Sequence, residues 1–306
     1  MNTHPKASWI AADWGTTNLR IWALDEAGGI LAHRSSEKGM GRLEKQDFEP
    51  ALIELIADLL KDGEVTPVIV CGMAGSRQGW AEAPYMTVPC APPSIRNATR
   101  VDAADPRLDV RILPGIKQLT PPDVMRGEET QIAGFLSENQ TYSGTLCLPG
   151  THTKWVALKD GRIERFRTFM TGETYALLSK HSVLRHGLSA DDLDSTAFAE
   201  AAEHSFNAPE ALTADLFGVR AAGLVADLGP AQASGRLSGL LIGAELAAVS
   251  RDFDLGNTAL LGSDKIAGAY RSALTHIGHA SRQLHAETIT LKGLTLAYSF
   301  YEPEHS

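Results

Sequence analysis

The sequence predicts an α/β protein of two lobes, and three observations carry that expectation. Its 306 residues exceed what one ordinary compact domain needs. A strand-turn-strand start occurs twice, once from Ser8 and again from Gly144. After each start come segments whose apolar residues recur at helical spacing.

In the first half, Ser8 to Ala12 is apolar, Asp13 to Thr17 carries turn residues, and Leu19 to Leu24 alternates before the Ala27-Gly28-Gly29 turn. Gly29 to Ser36 makes a third strand. Phe48 to Leu60 sets Phe48, Leu52, Leu55, Ile56, Leu59 and Leu60 on one helical face, and Val68 to Cys71 is a short buried strand. From Gly72 to Pro93 the chain is rich in Gly and Pro and fits neither period, and connections of that length are usually functional or lids. Glu128 to Leu136 reads as a helix. Gly144 to Arg167 is the second strand-turn-strand run, with Asp160-Gly161 as a hairpin turn in its middle.

Beyond Thr171 helices are expected near Tyr175 to Lys180, Ala190 to Ala202, Pro209 to Asp227 and Gly235 to Asp252, then a strand at Thr258 to Gly262. Helices near Ser263 to Leu274 and Leu291 to Tyr301 are expected to finish the second lobe. No low-complexity linker separates the halves, so the boundary is set near Val124 by the repeated β-rich starts, giving 1–123 and 124–306.

Composition narrows the function. Hydrophobic residues are 43% and charged residues 21%, the mix of a globular protein. The formal net charge of -9 gives no basic field for nucleic acid, although a few local cations and backbone N–H groups still suffice for a small anion. Cys71, Cys90 and Cys147 match no metal-ligand or redox spacing, which points to buried thiols in a reducing cytoplasm. No stretch approaches the ~20 apolar residues that span a bilayer, so no membrane partner is expected; a homo-oligomer is left open.

The sharpest motif is Asp13-Trp14-Gly15-Thr16-Thr17-Asn18-Leu19-Arg20, a carboxylate at a strand end followed by a Gly-Thr-Thr turn. Successive N–H groups and hydroxyls of such a turn can donate to phosphate oxygens, and the Asp can hold Mg²⁺ through water. Taken alone, Gly-Thr-Thr is more often an ordinary hairpin. A second copy, Leu148-Pro149-Gly150-Thr151-His152-Thr153-Lys154-Trp155, changes the odds. The chain has no GxxxxGK[ST] loop and no GxGxxG after a strand, so the nucleotide is inferred from the paired hairpins.

Two such hairpins resemble the phosphate loops of the superfamily that contains actin, heat-shock 70 ATPases, hexokinase and the carbohydrate kinases. Ala259-Leu260-Leu261-Gly262-Ser263 opens a helix as that superfamily's adenosine loop does. Between the hairpins, Met125-Arg126-Gly127-Glu128-Glu129-Thr130-Gln131 looks like the segment in which an acid takes the proton from the sugar hydroxyl. The loop Cys71-Gly72-Met73-Ala74-Gly75-Ser76-Arg77-Gln78-Gly79-Trp80 follows a first-lobe strand, where carbohydrate kinases bring residues onto the sugar. These segments and Phe169-Met170-Thr171-Gly172-Glu173, in this order, closely resemble the 2-dehydro-3-deoxygalactonokinase family.

The resemblance implies two actin-like, ribonuclease H-like lobes with an ATP cleft between them, sugar acid on the first and nucleotide on the second. It implies transfer of the ATP γ-phosphoryl to the 6-hydroxyl of 2-dehydro-3-deoxy-D-galactonate with Mg²⁺ at Asp13. Phosphate contacts fall to Gly15, Thr16, Thr17, Arg20, Gly150, Thr151, His152, Thr153 and Lys154, and adenosine contacts to Gly262 and Ser263. Asn18, Ser76, Arg77, Gln78, Trp80 and Arg126 are the substrate candidates, with Arg77 expected to grip the C1 carboxylate and Arg126 or Lys38 next in line. Glu128 and Glu129 are the base candidates; Glu129 is preferred because Gln131 follows it by two. Rival readings are a kinase for the gluconate epimer, a polyphosphate or guanosine-phosphate phosphatase of the same superfamily, and a sugar-acid-binding regulator. A regulator of that kind commonly carries an added DNA-binding helix pair, for which the start at Ser8 leaves no room.

Overall fold

The computed structural model describes residues 5–302. Two sheets repeat one plan. In the first, β1 (Trp9–Trp14), β2 (Leu19–Leu24) and β3 (Ile30–Ser36) form an antiparallel meander. After α1 (Phe48–Ile56), β4 (Thr66–Gly72) returns parallel to β1. β5 (Tyr85–Thr87), β6 (Thr99–Val101) and β7 (Leu108–Ile112) follow, and the sheet order is β3-β2-β1-β4-β7-β6. β8 (Gly115–Leu119) and β9 (Pro122–Met125) join β5 in a small separate sheet.

Past α2 (Glu128–Glu138) the plan restarts with β10 (Gly144–Leu148), β11 (Thr153–Lys159) and β12 (Arg162–Phe169). Asp160 and Gly161 take φ of 48° and 72°, the left-handed pair that a two-residue hairpin turn demands. Five helices follow in order: α3 (Thr171–His181), α4 (Ser195–Asn207), α5 (Leu212–Val225), α6 (Pro230–Val249) and, after β13 (Thr258–Gly262), α7 (Asp264–His276). β14 (Ser281–His285) closes a sheet of order β12-β11-β10-β13-β14, and α8 (Ala286–Tyr298) is the last element among the described residues. Both sheets therefore run 3-2-1-4 from the meander outward and add a further parallel strand, β7 or β14, the order of an actin-like, ribonuclease H-like lobe, with β6 as an extra antiparallel edge in the first.

The chain divides into two compact units, 1–142 with 159–165 and 286–306, and 143–158 with 166–285. One cut near 124 does not reproduce this division, and α8 belongs to the first unit, not the second. The reason is a close helix seam. A Cβ on Gly134 would lie 2.0 Å from the Ile289 carbonyl, and one on Gly293 2.0 Å from that of Thr130, so the bare backbones of α2 and α8 meet where any side chain would push them apart.

In the first unit the meander's inner face packs Ile10, Trp14, Leu19 and Ile21 against Phe48, Leu52 and Ile56 of α1. In the second, Cys147, Trp155 and Leu260 pack against Phe198, Leu246 and Tyr270. Cys71, Cys90 and Cys147 are buried and free. No helix among the described residues is long and apolar enough to cross a membrane.

Candidate active site

The first hairpin is built by register. Asp13 faces Arg20 and Trp14 faces Leu19 across β1 and β2, which leaves Gly15 to Asn18 as the turn, closed by the Gly15 N–H on the Asn18 carbonyl at 2.9 Å. The carbonyls of Gly15, Thr16 and Thr17 accept from Met40, Gly41 and Gly39 at 3.0, 2.9 and 3.2 Å. With its acceptors spent there, what the turn can offer an incoming group is donors, the chemistry of an anion site. Thr16, Thr17 and Asn18 are exposed, and Asn18 Nδ2 donates to the Thr17 hydroxyl.

Asp13 sits below this turn, mostly buried, with Oδ2 2.5 Å from Arg20 Nη2. Arg20 also lies 3.8 Å from Glu287. The guanidinium expected on phosphate is thus placed on the two acids. Asp13 Oδ1 is 3.8 Å from Cys71 Sγ, because Asp13 and Cys71 are register partners in the parallel pair β1 and β4.

Glu129 reaches the same place from α2. Gly127, at φ 107°, lets the chain turn sharply into the helix, where a Cβ would approach Gly72 at 3.4 Å. Its N–H donates to both Glu129 carboxylate oxygens, at 2.8 and 2.7 Å. Glu129 is completely buried. Burial, and secondly the charge of Glu128, push its carboxyl up to about 8 against the pull of the Gly127 N–H and Arg126. Cys71 registers both acids: burial first, then Asp13 and Glu129, push its thiol up. Glu128 is only partly buried and accepts from the Arg126 N–H at 3.0 Å.

The Gly72 to Trp80 loop sorts its residues differently from expectation. Arg77 is 82% exposed and 3.7 Å from Glu82, and Gln78 is exposed beside it. Trp80 is 6% exposed, its ring centroid 5.8 Å from Trp14 and 6.1 Å from Phe48. Lys38 pairs with Glu54 near the surface. Arg126 is the cation drawn inward: Nη2 donates to the Ala83 carbonyl at 2.8 Å and the guanidinium lies 4.3 Å over the Tyr85 ring. Its Nε and Nη1, like the Ser76 hydroxyl, are buried without a hydrogen-bond partner in the chain, a costly condition that calls for an explanation.

The second hairpin is held by α3. Glu173 N–H donates to the Thr151 carbonyl at 3.0 Å and its carboxylate meets His152 Nε2 at 2.6 Å. Gly150 and Thr151 stand at the turn, with Thr151 exposed. Thr153 and Lys154 are not on the turn but buried in β11, and the Thr153 hydroxyl is engaged with Tyr270 at 2.9 Å. Gly262 is buried, its Cβ position 3.0 Å from Pro149 of the hairpin, and Ser263 is the exposed N-cap of α7. Sequence reasoning gave no role to Glu245, the lone acid in the apolar run Gly239 to Val249.

Among the described residues no three or more His, Cys, Asp or Glu side chains gather to hold a metal. Mg²⁺ needs no such cage, since it keeps several waters and takes one or two carboxylates plus substrate phosphates. Asp13, an acid under a donor-lined turn, fits that demand.

The family model of the 2-keto-3-deoxy-galactonokinases matches residues 13–297. The chain belongs to this family. A probable 2-dehydro-3-deoxygalactonokinase of Rhizobium meliloti (strain 1021) is 40% identical over 296 residues, covering 94% of this chain and 96% of the relative. The 2-dehydro-3-deoxygalactonokinase of Escherichia coli (strain K12) is 38% identical over 276 residues, 89% and 91% of the two chains. A crystal structure assigned to the same activity, from Sinorhizobium meliloti, superposes with a TM-score of 0.89 at 39% identity over 95% of this chain and 98% of that one. The family is one of kinases, and the 2-keto-3-deoxy-galactonokinase fold is the one described above.

Proposed function

We propose that this chain transfers the γ-phosphoryl of ATP to the 6-hydroxyl of 2-dehydro-3-deoxy-D-galactonate, giving the 6-phosphate and ADP. The observation that carries the reading is Glu129, a fully buried carboxylate that shares Cys71 as a neighbour with Asp13 and whose carboxyl is pushed up to about 8. A base works best when its pKa lies near the operating pH. Ionised Glu129 takes the proton of the 6-hydroxyl as that oxygen attacks the γ-phosphorus and the bond to ADP breaks. Its two hydrogen bonds from Gly127 fix the carboxylate before substrate arrives, so orientation costs nothing at the moment of reaction.

The turn donors of Gly15 to Thr17 and of Gly150 to His152 take the phosphate oxygens, where alignment and charge stabilisation do most of the work of phosphoryl transfer. Asp13 would hold Mg²⁺, which when bound neutralises phosphate charge. Asn18 and Ser76 are the hydroxyl-reading groups. Arg126 replaces Arg77 as the ligand of the C1 carboxylate, because a guanidinium with buried unpaired N–H groups gains more from a carboxylate than one already in water.

The test is a coupled ADP assay over a panel of 2-keto-3-deoxy sugar acids and their neutral analogues. ADP release that requires a sugar acid, with the highest kcat/KM for the galactonate epimer, is the expected result. Release without any acceptor sinks the kinase reading, and preference for the gluconate epimer sinks the substrate.

A further inference from the structure

Glu245 lies in the C-terminal part of α6, 3% exposed, in the otherwise apolar run Gly239 to Val249. Three neutral donors converge on it. Trp155 Nε1–H donates to Oε1 at 2.6 Å, and the hydroxyls of Tyr270, at 2.8 Å, and Thr171 donate to Oε2. Tyr270 has one proton, and it goes to the carboxylate. The 2.9 Å contact between Tyr270 and Thr153 must then be a donation from Thr153, so the chain of bonds has a fixed direction.

These partners frame the second hairpin. Thr153 and Trp155 are the first and third residues of β11, on one face of the strand that leaves the turn. Thr171 opens α3, whose Glu173 holds Thr151 through its N–H and His152 through its carboxylate. A leucine would fill the same volume without the penalty of burying an acid, so stability alone does not account for a carboxylate here. Burial pushes its carboxyl up to about 7 against those three donors. The titratable groups coupled to it, Cys147 and Tyr270, are themselves buried.

We propose that Glu245 is the positioning residue of the second hairpin, fixing β11 and the start of α3 so that the Gly150 to His152 turn keeps its donors aimed at nucleotide phosphate. The inference rests on the kinase reading above. It concerns ATP and not the sugar acid, and that asymmetry supplies the test.

The experiment compares the full chain with Glu245→Leu, Glu245→Gln and Tyr270→Phe, measuring ATP affinity by calorimetry and KM for ATP and for sugar acid in the ADP assay. Glu245→Leu raises Kd and KM for ATP roughly tenfold or more, with KM for the sugar acid unchanged within about twofold. Glu245→Gln restores most of the loss, because an amide accepts from Trp155 through Oε1 and donates through Nε2 to a hydroxyl able to reverse its own bond. Tyr270→Phe, which removes the bridge between Glu245 and Thr153 but leaves Trp155 and Thr171 on the carboxylate, falls between the two and decides the matter should Glu245→Leu not fold. Equal ATP affinity in Glu245→Leu and the unmutated chain, a parallel rise of both KM values, or a glutamine variant as impaired as leucine overturns the proposal. Failure of the kinase reading shows elsewhere, as absence of ATP binding by the unmutated chain.

Discussion

The two hairpins share a motif and differ in where the carboxylate stands. With Gly15 and Gly150 aligned, the first hairpin has Asp13 where the second has Leu148. In the first, the acid is part of the hairpin itself, balanced by Arg20 and accompanied by Glu129 through Cys71. In the second, the acid has moved behind the strand to Glu245, sealed from water and answered only by neutral donors. The same turn can therefore carry ionic chemistry or serve as a held cradle, and the choice is made by the residues that back it. On the proposed reading, charge placed in the turn's own strand acts on what binds, and charge buried behind it acts on the turn.

That contrast orders the expected effects. Glu129→Gln removes the base of the ionic side and lowers kcat by ~10² or more with ATP affinity nearly intact, while Glu128→Gln is milder. Steady-state kinetics of the two variants decide it, and near-normal turnover in both would end the base assignment. The pH profile carries the same sign: the base must be ionised, so kcat/KM of the unmutated chain falls as pH drops below about 8, the value to which burial pushes Glu129.

Asp13→Asn is next, with kcat lowered by ~10-fold and a raised Mg²⁺ requirement, since charge and not only hydrogen bonding is lost near a hydrated ion. Leu148→Ala at the matching position of the second hairpin leaves the Mg²⁺ titration where it was. Equal shifts in the two titrations would erase the distinction between the hairpins. A change of similar size, but confined to the acid substrate, is expected for the substrate cation. Arg126→Lys loses ~10-fold in kcat/KM for the acid but not for a neutral analogue, and Arg77→Lys stays within ~2-fold. The reverse ranking returns the carboxylate to Arg77.

The smallest effect is on stability. A carboxyl raised from about 4.5 to about 8 on folding binds its proton more tightly in the folded chain, so its contribution is full below the unfolded pKa and is lost as pH rises through about 8. Glu129→Gln cannot titrate. Its melting temperature relative to the unmutated chain should therefore climb between pH 5 and pH 8, and a constant difference would contradict the buried acid.

Local pattern reached the elements whose signal is local. β2 and β13 fall on the expected residues, Leu19–Leu24 and Thr258–Gly262, because alternation and a short apolar run bounded by turns are strong short-range cues. β6 to β9 lie in a stretch with no reading, and β14 was unforeseen because Ser281–His285 is polar and only partly buried, an edge strand defined by its neighbour. Thr153 and Trp80 were placed with the ligand on residue type, and burial assigns them to a hydroxyl network and an aromatic cluster. Arg77 and Arg126 are indistinguishable as letters; only the packing of Tyr85 and Ala83 around one of them separates the two. The preference for Glu129 over Glu128 rested on spacing to Gln131; only the fold shows that the turn at Gly127 buries the first and leaves the second partly exposed.

The seam between α2 and α8 has a consequence for biosynthesis. The helix that carries Glu129 emerges from the ribosome well before the helix it packs against, with residues 139–285 made between them. Domains otherwise fold as units while the chain is being synthesised, but here the entire second unit is inserted between the partners. Until that stretch has been translated and its ends brought back together, Gly134 and Thr130 face solvent in place of Gly293 and Ile289. The nascent first unit is accordingly unfinished until α8 emerges, and α2, with Glu129 on it, is locked into place only then.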